Sequence, residues 1–346
     1  MKAHAIGRSE ATVSALSGKI LCHDVRDAAK KVVGAKGERL DAGLAARILG
    51  CDWEELHLLE LERGDLHEEE AGARLSRAVV GDGVQVKGYS GGQWALTATR
   101  RGLLQVRIGP LAQVNACEGI SVFTLFDGQP VEAGEVVAKA KVTPLAIASA
   151  TIFDVERLTR EAGGLFVVRP FEPFAIGAVA RESLDDKQRQ RFESALKEKI
   201  HWLGSRLLSV RFAGAAPQSV AKELEALRDA GATIFIVAGA SALDPLDPVF
   251  RGLELVGARV ERHGSPAHPG SLLWIARWEG APVVGMPTCG MFSQATTFDL
   301  VFPRILARDE IGNAEIAALG HGGLLSREMA FRFPPYRATA PRGELE

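Results

Sequence analysis

In the second half of the chain, short apolar runs alternate with longer segments whose apolar residues recur every three or four positions. This alternation predicts strands near 174–180, 206–212, 233–238, 259–263, 272–276 and 283–286, and helices over 185–203, 218–230, 248–256 and 293–306. The run Ile234-Phe235-Ile236-Val237 is apolar throughout and bounded by small residues, as a parallel strand covered on both faces would be. The order of elements implies right-handed crossovers and an α/β fold: a mostly parallel sheet with helices on both faces. The tail after Gly312, with Pro334-Pro335-Tyr336 and Pro341-Arg342-Gly343, reads as an irregular strap.

The first half has another texture. Residues 1–17 read as a loose lead-in, 19–25 as a short strand, and Asp41 as the cap of a helix over 42–49 that stops at Gly50. Asp65-Leu66-His67-Glu68 reads as a capping box opening a helix over 66–80, with Ala71, Leu75, Ala78 and Val79 on its apolar side. From 84 to 147 the period changes to two, with turn signals at Gly91-Gly92, Arg101-Gly102 and Asp127-Gly128, which predicts a β-rich module. Residues 127–139 resemble half of a barrel-sandwich fold of the lipoyl-carrier kind, without that family's exposed modifiable lysine, so the likeness is one of architecture only. Pro170 and Pro173 mark a boundary. The expected organisation is therefore a lead-in (1–17), a smaller mixed α+β, β-rich accessory domain (18–150), an α/β domain (170–312) and a tail (313–346).

Composition narrows the class without choosing a chemistry. The 346 residues suffice for two domains, and 47% hydrophobic content supports a core in each. A formal net charge of −2 supplies no field toward nucleic acid or membrane surfaces. No apolar run approaches the ~20 residues of a bilayer span. The polar amino terminus lacks the apolar core of a secretory signal, so a cytoplasmic protein without nucleic-acid or membrane partners is expected. Cys22, Cys51, Cys117 and Cys289 have neither CxxC spacing nor paired histidines, which argues against a structural zinc site or a disulfide framework.

Candidate chemistry collects where two predicted strands end. One run continues into Gly239-Ala240-Ser241-Ala242-Leu243-Asp244-Pro245-Leu246-Asp247-Pro248, the other into Pro287-Thr288-Cys289-Gly290. In open α/β sheets ligands bind at the carboxyl ends of the strands. Small residues let backbone approach an anion closely, and amides leading into a helix can hold it without a basic side chain. Asp244 and Asp247 are candidates for Mg²⁺, which is commonly held by one or two carboxylates plus substrate phosphate. A plainer reading exists: Asp followed by Pro is ordinary helix-start chemistry. It is the favoured one for Asp247, both stay open for Asp244, and Ser241 would then cap the same turn. Cys289 is either a thiol contacting metal or sulfur or a buried, inert cysteine. His263 and His268 lack one-face helical ligand spacing, Trp274 and Trp278 read as packing, and Glu68-Glu69-Glu70 as a solvated helix face.

In their order and spacing, residues 239–247, Pro269-Gly270 and residues 285–293 resemble the molybdopterin-binding domain of molybdenum insertases, molybdopterin adenylyltransferases and a less characterised group of molybdopterin-binding proteins. The likeness covers roughly 174–306. Gly18-Lys19-Ile20-Leu21-Cys22-His23-Asp24 also resembles the opening strand of insertases, and the β-rich module resembles the accessory portion of the less characterised group. The family's glycine-glycine-x-serine turn corresponds to Gly239-Ala240-Ser241. Its acidic residues correspond to Asp244 and, displaced by one place, Asp247. The acidic end of the first strand is reduced to Glu182 within Ala180-Arg181-Glu182-Ser183. The lysine-proline-glycine-lysine-proline segment becomes His268-Pro269-Gly270-Ser271-Leu272 with both lysines lost, and the leucine-proline-glycine-asparagine-proline turn becomes Met286-Pro287-Thr288-Cys289-Gly290.

The resemblance implies a cofactor-binding set of Gly239, Ala240, Ser241, Asp247, His268, Pro269, Gly270, Ser271, Pro287, Thr288, Cys289, Gly290 and Ser293, with His268 standing in for a lost phosphate lysine. It implies Asp244 and Glu182 as catalytic residues, Asp244 also as metal ligand. The implied ligand is molybdopterin or its molybdenum-loaded form, also as a nucleotide adduct, with Mg²⁺ as a further component. A molybdoenzyme client or biosynthesis partner and a homodimer, as in insertases, follow from the same likeness. Three roles are open: a binder acting in cofactor biosynthesis, storage or delivery; an active insertase or nucleotide-handling enzyme; and a binder of another nucleotide-like anion. The missing lysines favour the first.

Overall fold

The computed structural model describes residues 1–181, 184–292, 295–309 and 311–336. It forms two compact units: Met1–Thr97 with Val106–Leu125 and Val136–Val167, and Ala98–Gln105 with Phe126–Glu135 and the chain from Val168 onward. Residues 98–105 and 126–135, expected in the accessory domain, thus belong to the second unit.

In the first unit the residues expected to be a loose lead-in are structured. Lys2–Gly7 pairs antiparallel with Glu55–Glu60, residue for residue, and Ile20–Leu21 pairs on the other side of that strand. Thr12 accepts from the Ala15 amide at 3.1 Å and caps the short helix Val13–Leu16. Asp41 caps Ala42–Leu49 through the Leu44 amide at 2.7 Å, and Leu44 and Ile48 bury against Leu16, Leu21, Leu56 and Leu58. Asp65 does not cap a helix. It lies in the strand Asp65–His67, which pairs with Ala146–Ala148, and His67 caps the helix Glu68–Val79 instead. A four-stranded antiparallel sheet takes Ile120–Thr124, Val136–Val142, Gln93–Ala98 and Val84–Ser90 in that spatial order. Gly91 and Gly92 both have positive φ, 58° and 77°, as a two-residue hairpin turn requires. The helix Ile108–Asn115, which the period-two pattern concealed, and the helix Ser149–Ala162, which lies beyond that pattern, also belong to the unit.

The second unit is built on a six-stranded sheet in the order Arg206–Phe212, Ala175–Ala180, Ile234–Ala238, Ala281–Met286, Trp274–Trp278, Arg259–His263. Trp274–Trp278 alone runs against the others. Successive strand side chains point to opposite faces, and each face carries its own helices. Ile176, Ala178, Ile234 and Ile236 pack against Phe192, Leu196 and Ile200 of Asp186–Trp202 and Phe298, Val301 and Phe302 of Thr297–Leu306. Val179, Phe235 and Val237 pack against Val220, Leu224 and Leu227 of Pro217–Asp229 and Val249 and Leu253 of Pro248–Leu255. This is the expected α/β architecture.

The tail is not an irregular strap throughout. Asn313–Ala318 is helical, Arg327–Arg332 is a 3₁₀ helix, and Tyr336 reaches the core. Residues 337–346 lie outside the described chain.

Candidate functional site

Four parallel strands of the larger sheet end along one edge, and the candidate loops leave from it. Ala238 is in register with both Ala180 and Met286, so the segments beginning at Arg181, Gly239 and Pro287 emerge from adjacent strands. Trp274 pairs with Gly285, which brings the entry to its strand, residues 270–273, to the same edge. The helix after Ala175–Ala180 packs on one face and the helix after Ile234–Ala238 on the other. Chain order also reverses direction there, since Ala175–Ala180 is flanked by the two strands that follow it. Loops part at such a switch point and leave a crevice outside the carboxyl ends.

The turn from Gly239 is set by its own residues. Gly239 has φ +86°, a conformation that costs other residues about 1–2 kcal/mol. The Ser241 carbonyl accepts from the Asp244 amide at 3.0 Å, and one Asp244 carboxylate oxygen accepts from the Leu246 amide at 2.9 Å. Asp244 is exposed. Asp247 is buried, and its oxygens take the Val249 amide (2.8 Å), the Ser241 amide (3.1 Å) and Nη2 of Arg181 (2.9 Å). With Pro248 at the first helical position, Asp247 holds the helix start and the turn together. The carboxylate is occupied by protein donors, as in the helix-start role favoured for Asp247. The amides of Ala240, Ala242 and Leu243 have no partner among the described residues.

At the other two bends the glycines are packed against protein. Gly270, φ +108°, lies against the next helix, where a Cβ would come within 2.8 Å of the Thr297 amide nitrogen. The Pro269 carbonyl accepts from that amide at 3.0 Å, and Thr297 Oγ1 donates to Ala267 and Pro269 carbonyls. His268 exchanges backbone bonds with Gly323 and Leu325, its ring exposed, and the Ser271 carbonyl accepts from Ser265. Gly290 is buried against Met286, Thr296 and Phe298. The helix Thr297–Leu306 is sealed at its start: Asp299 takes the Thr296 amide (3.0 Å) and hydroxyl (2.9 Å). That amino end therefore offers no open anion site. Pro287 is buried, whereas Thr288 and Cys289 are exposed on a 3₁₀ turn. Cys289 is a free, exposed thiol and not the buried cysteine of the plainer reading. Glu182 and Ser293 lie outside the described residues.

Two features escaped the sequence reading. Arg181, directly after an apolar strand, has a backbone amide bound to the Ala238 carbonyl (3.0 Å), a side chain 22% exposed, and a buried Nε with no partner among the described residues. Its position at the end of an apolar run was the available signal. Beneath the sealed helix start, Lys199 Nζ donates to Asp299 Oδ1 at 2.6 Å and Tyr336 donates to the same oxygen at 3.0 Å, all three buried. Burial, then the Asp299 charge and the hydrogen bond to it, hold the Tyr336 hydroxyl well above its ordinary pKa. No sequence spacing links those three. Among the described residues, no group of three or more His, Cys, Asp or Glu could hold a metal ion, and no helix is long and apolar enough to cross a membrane.

No family model and no curated protein matches the chain. Among solved structures, the molybdopterin biosynthesis MoeA protein from Pyrococcus horikosii aligns over 70% of this chain and 80% of its own, at 16% identity and a TM-score of 0.30. A protein described as a molybdenum cofactor biosynthesis protein from Corynebacterium diphtheriae aligns over 42% of this chain and 98% of its own, at 16% identity and a TM-score of 0.26. A NadC deletion mutant aligns over 53% of this chain and 78% of its own, at 12% identity and a TM-score of 0.16.

Proposed function

We propose that the chain binds molybdopterin or its metal-loaded form, in cofactor biosynthesis, storage or delivery. One observation carries the reading. The turn that resembles the family's glycine-rich segment opens at the switch point of the sheet, and the amides of Ala240, Ala242 and Leu243 have no partner among the described residues. Such main-chain donors suit the negatively charged phosphate end of a pterin. Gly270 and Gly290 pack against protein groups, so at the other two bends the open positions of the edge are the exposed His268, Thr288 and Cys289.

Purified protein treated with acid and iodine is expected to release a fluorescent oxidised pterin, with no Mg²⁺- and molybdate-dependent turnover. Absence of any pterin after expression in a molybdopterin-producing host would overturn the reading. The enzymatic alternative rests on Asp244, the exposed carboxylate of the turn, which would hold Mg²⁺ together with ligand phosphate. Turnover that collapses in Asp244→Asn would select it. If the protein binds nucleotides but no pterin, the third role, another nucleotide-like anion, takes their place.

A further inference from the structure

The lysines of the resembled segment are absent, so an anion at this edge needs another source of charge. The edge where Ala175–Ala180 and Ile234–Ala238 end carries one. Arg181 is the first residue past its strand, and its amide is tied to the Ala238 carbonyl at 3.0 Å, which fixes its backbone beside Gly239. Its Nη2 bonds the same Asp247 oxygen that accepts the Ser241 amide, at 2.9 and 3.1 Å respectively. The guanidinium is thereby anchored to the turn whose neighbouring amides have no partner among the described residues. Arginine has five N–H donors in a rigid fork. A single one has a partner among the described residues, and Nε is buried without any. A planar fork with one arm fixed and the rest unused matches phosphate oxygens, which accept two parallel N–H bonds. Asp247 alone does not account for it, because one carboxylate oxygen satisfies one donor and is shared with Ser241.

We propose that Arg181 is the anion-binding side chain of this edge, its unused guanidinium donors receiving phosphate or pyrophosphate oxygens beside the Ala240, Ala242 and Leu243 amides. This rests on the reading of the edge as a site for an anionic ligand. It moves the charge from the segment at 268–272 to the end of the first strand.

The test is calorimetric titration of the full chain with inorganic pyrophosphate and with ADP, comparing wild type with Arg181→Lys. Lysine keeps a cation opposite Asp247 but loses the fork, so the variant separates recognition from folding. An unchanged thermal midpoint checks that separation. Wild type is expected to bind, and Arg181→Lys to bind about ten- to a hundredfold more weakly, the factor for losing a charge-assisted pair of hydrogen bonds. A nitrogen-15 spectrum gives a readout that a merely structural role would not move. One arginine Nε–H signal, missing in Arg181→Lys, should shift during titration of the wild type.

Pyrophosphate and ADP binding with the same dependence on Arg181 supports the proposal with a nucleotide as phosphate donor. Pyrophosphate binding alone supports it with a phosphorylated, non-nucleotide carrier. Equal affinity in the two proteins, an unmoved signal, or no binding of either probe to wild type overturns it. Pterin retained on purification is measured on the same samples. Equal retention by wild type and Arg181→Lys overturns the role of Arg181 and leaves the pterin reading standing. Arg181-dependent pyrophosphate binding without any pterin keeps Arg181 and removes the pterin.

Discussion

At the scale of single residues, two aspartates three positions apart have opposite duties. Asp247 is buried with three protein donors, and Asp244 is exposed with one. Asp247→Ala removes a cap and the partner of Arg181 together, and is expected to cost at least about 2 kcal/mol, the upper end of the range for cap loss alone. Asp244→Asn keeps an oxygen for the Leu246 amide and should stay within about 0.5 kcal/mol of wild type. Urea unfolding of both variants checks the contrast, and equal losses would mean that the turn is held otherwise. Gly285 shows a similar division between lining and filling. A Cβ there would lie 2.1 Å from the indole of Trp274, its cross-strand partner. Gly285→Ala should therefore cost about 1–3 kcal/mol, the range for overpacking a core, and shift tryptophan emission. The sequence displayed the turn as a candidate because glycine, serine and aspartate after an apolar run are conspicuous. It could not display which bends were full. Gly270 is occupied by Thr297 and Gly290 by Thr296 and Phe298, contacts that need the fold to bring distant residues together.

At the scale of elements, the strand and helix alternation after residue 174 was legible because the central strands Ala175–Ala180, Ile234–Ala238 and Ala281–Met286 are apolar runs set between helices with apolar stripes. Pro217–Asp229 buries Val220, Leu224 and Leu227, and Ile234–Ala238 is buried at every position. Asp65 misled because a capping box is a local pattern, whereas its strand is fixed by pairing with Ala146–Ala148, far along the chain. The helix Glu68–Val79 is fixed in turn by Ser149–Ala162. Arg74 makes two 2.8 Å bonds to Glu156 between them. The Arg74 bond, then its charge and those of Arg160 and Arg77, hold the Glu156 carboxyl below its ordinary value against a smaller effect of burial. A carboxylate with a lowered folded pKa stabilises above its unfolded pKa, about 4.5 here, and the contribution is lost as pH falls through the folded value. Glu156→Gln should therefore be less stable than wild type at pH 7. The difference should shrink once the pH drops below about 4.5, where the unfolded carboxyl has taken up its proton. Unfolding midpoints of the two proteins at neutral and acid pH decide this. A gap that persists in acid would assign the loss to packing and not to charge.

At the scale of the molecule, what escaped the sequence is what joins distant segments. A boundary after 150 follows the chain, but Asp127 is bonded to Arg304 at 2.8 Å and Gln105 to Asp309 at 2.7 Å, which draws 98–105 and 126–135 into the second unit. Tyr336 is the farthest-reaching case, since it ties the chain's last described residue to the start of the helix beneath the candidate edge. Asp299 receives Lys199 and Tyr336 on one oxygen and Thr296 on the other, so its charge is shared among three segments. Asp299→Asn, which neutralises the buried carboxylate that Lys199, Tyr336 and Thr296 share, should cost about 3–5 kcal/mol. Tyr336→Phe removes one hydrogen bond to a charged acceptor and should cost about 1.5–3 kcal/mol near neutral pH. The two variants also differ from wild type in alkali. Burial first, and Asp299 second, keep the Tyr336 hydroxyl protonated in the fold well above its ordinary value of 10.0. A raised folded pKa means a contribution fully present below the unfolded pKa and lost as pH rises toward the folded one. Wild type should therefore lose stability above pH 10.0 more steeply than Tyr336→Phe, and the gap measured at neutral pH should narrow. Urea unfolding at pH 7 and pH 11 makes the comparison. A constant gap would show that Tyr336 ionises as easily in the fold as out of it, which a phenol enclosed beside a carboxylate has no means of doing.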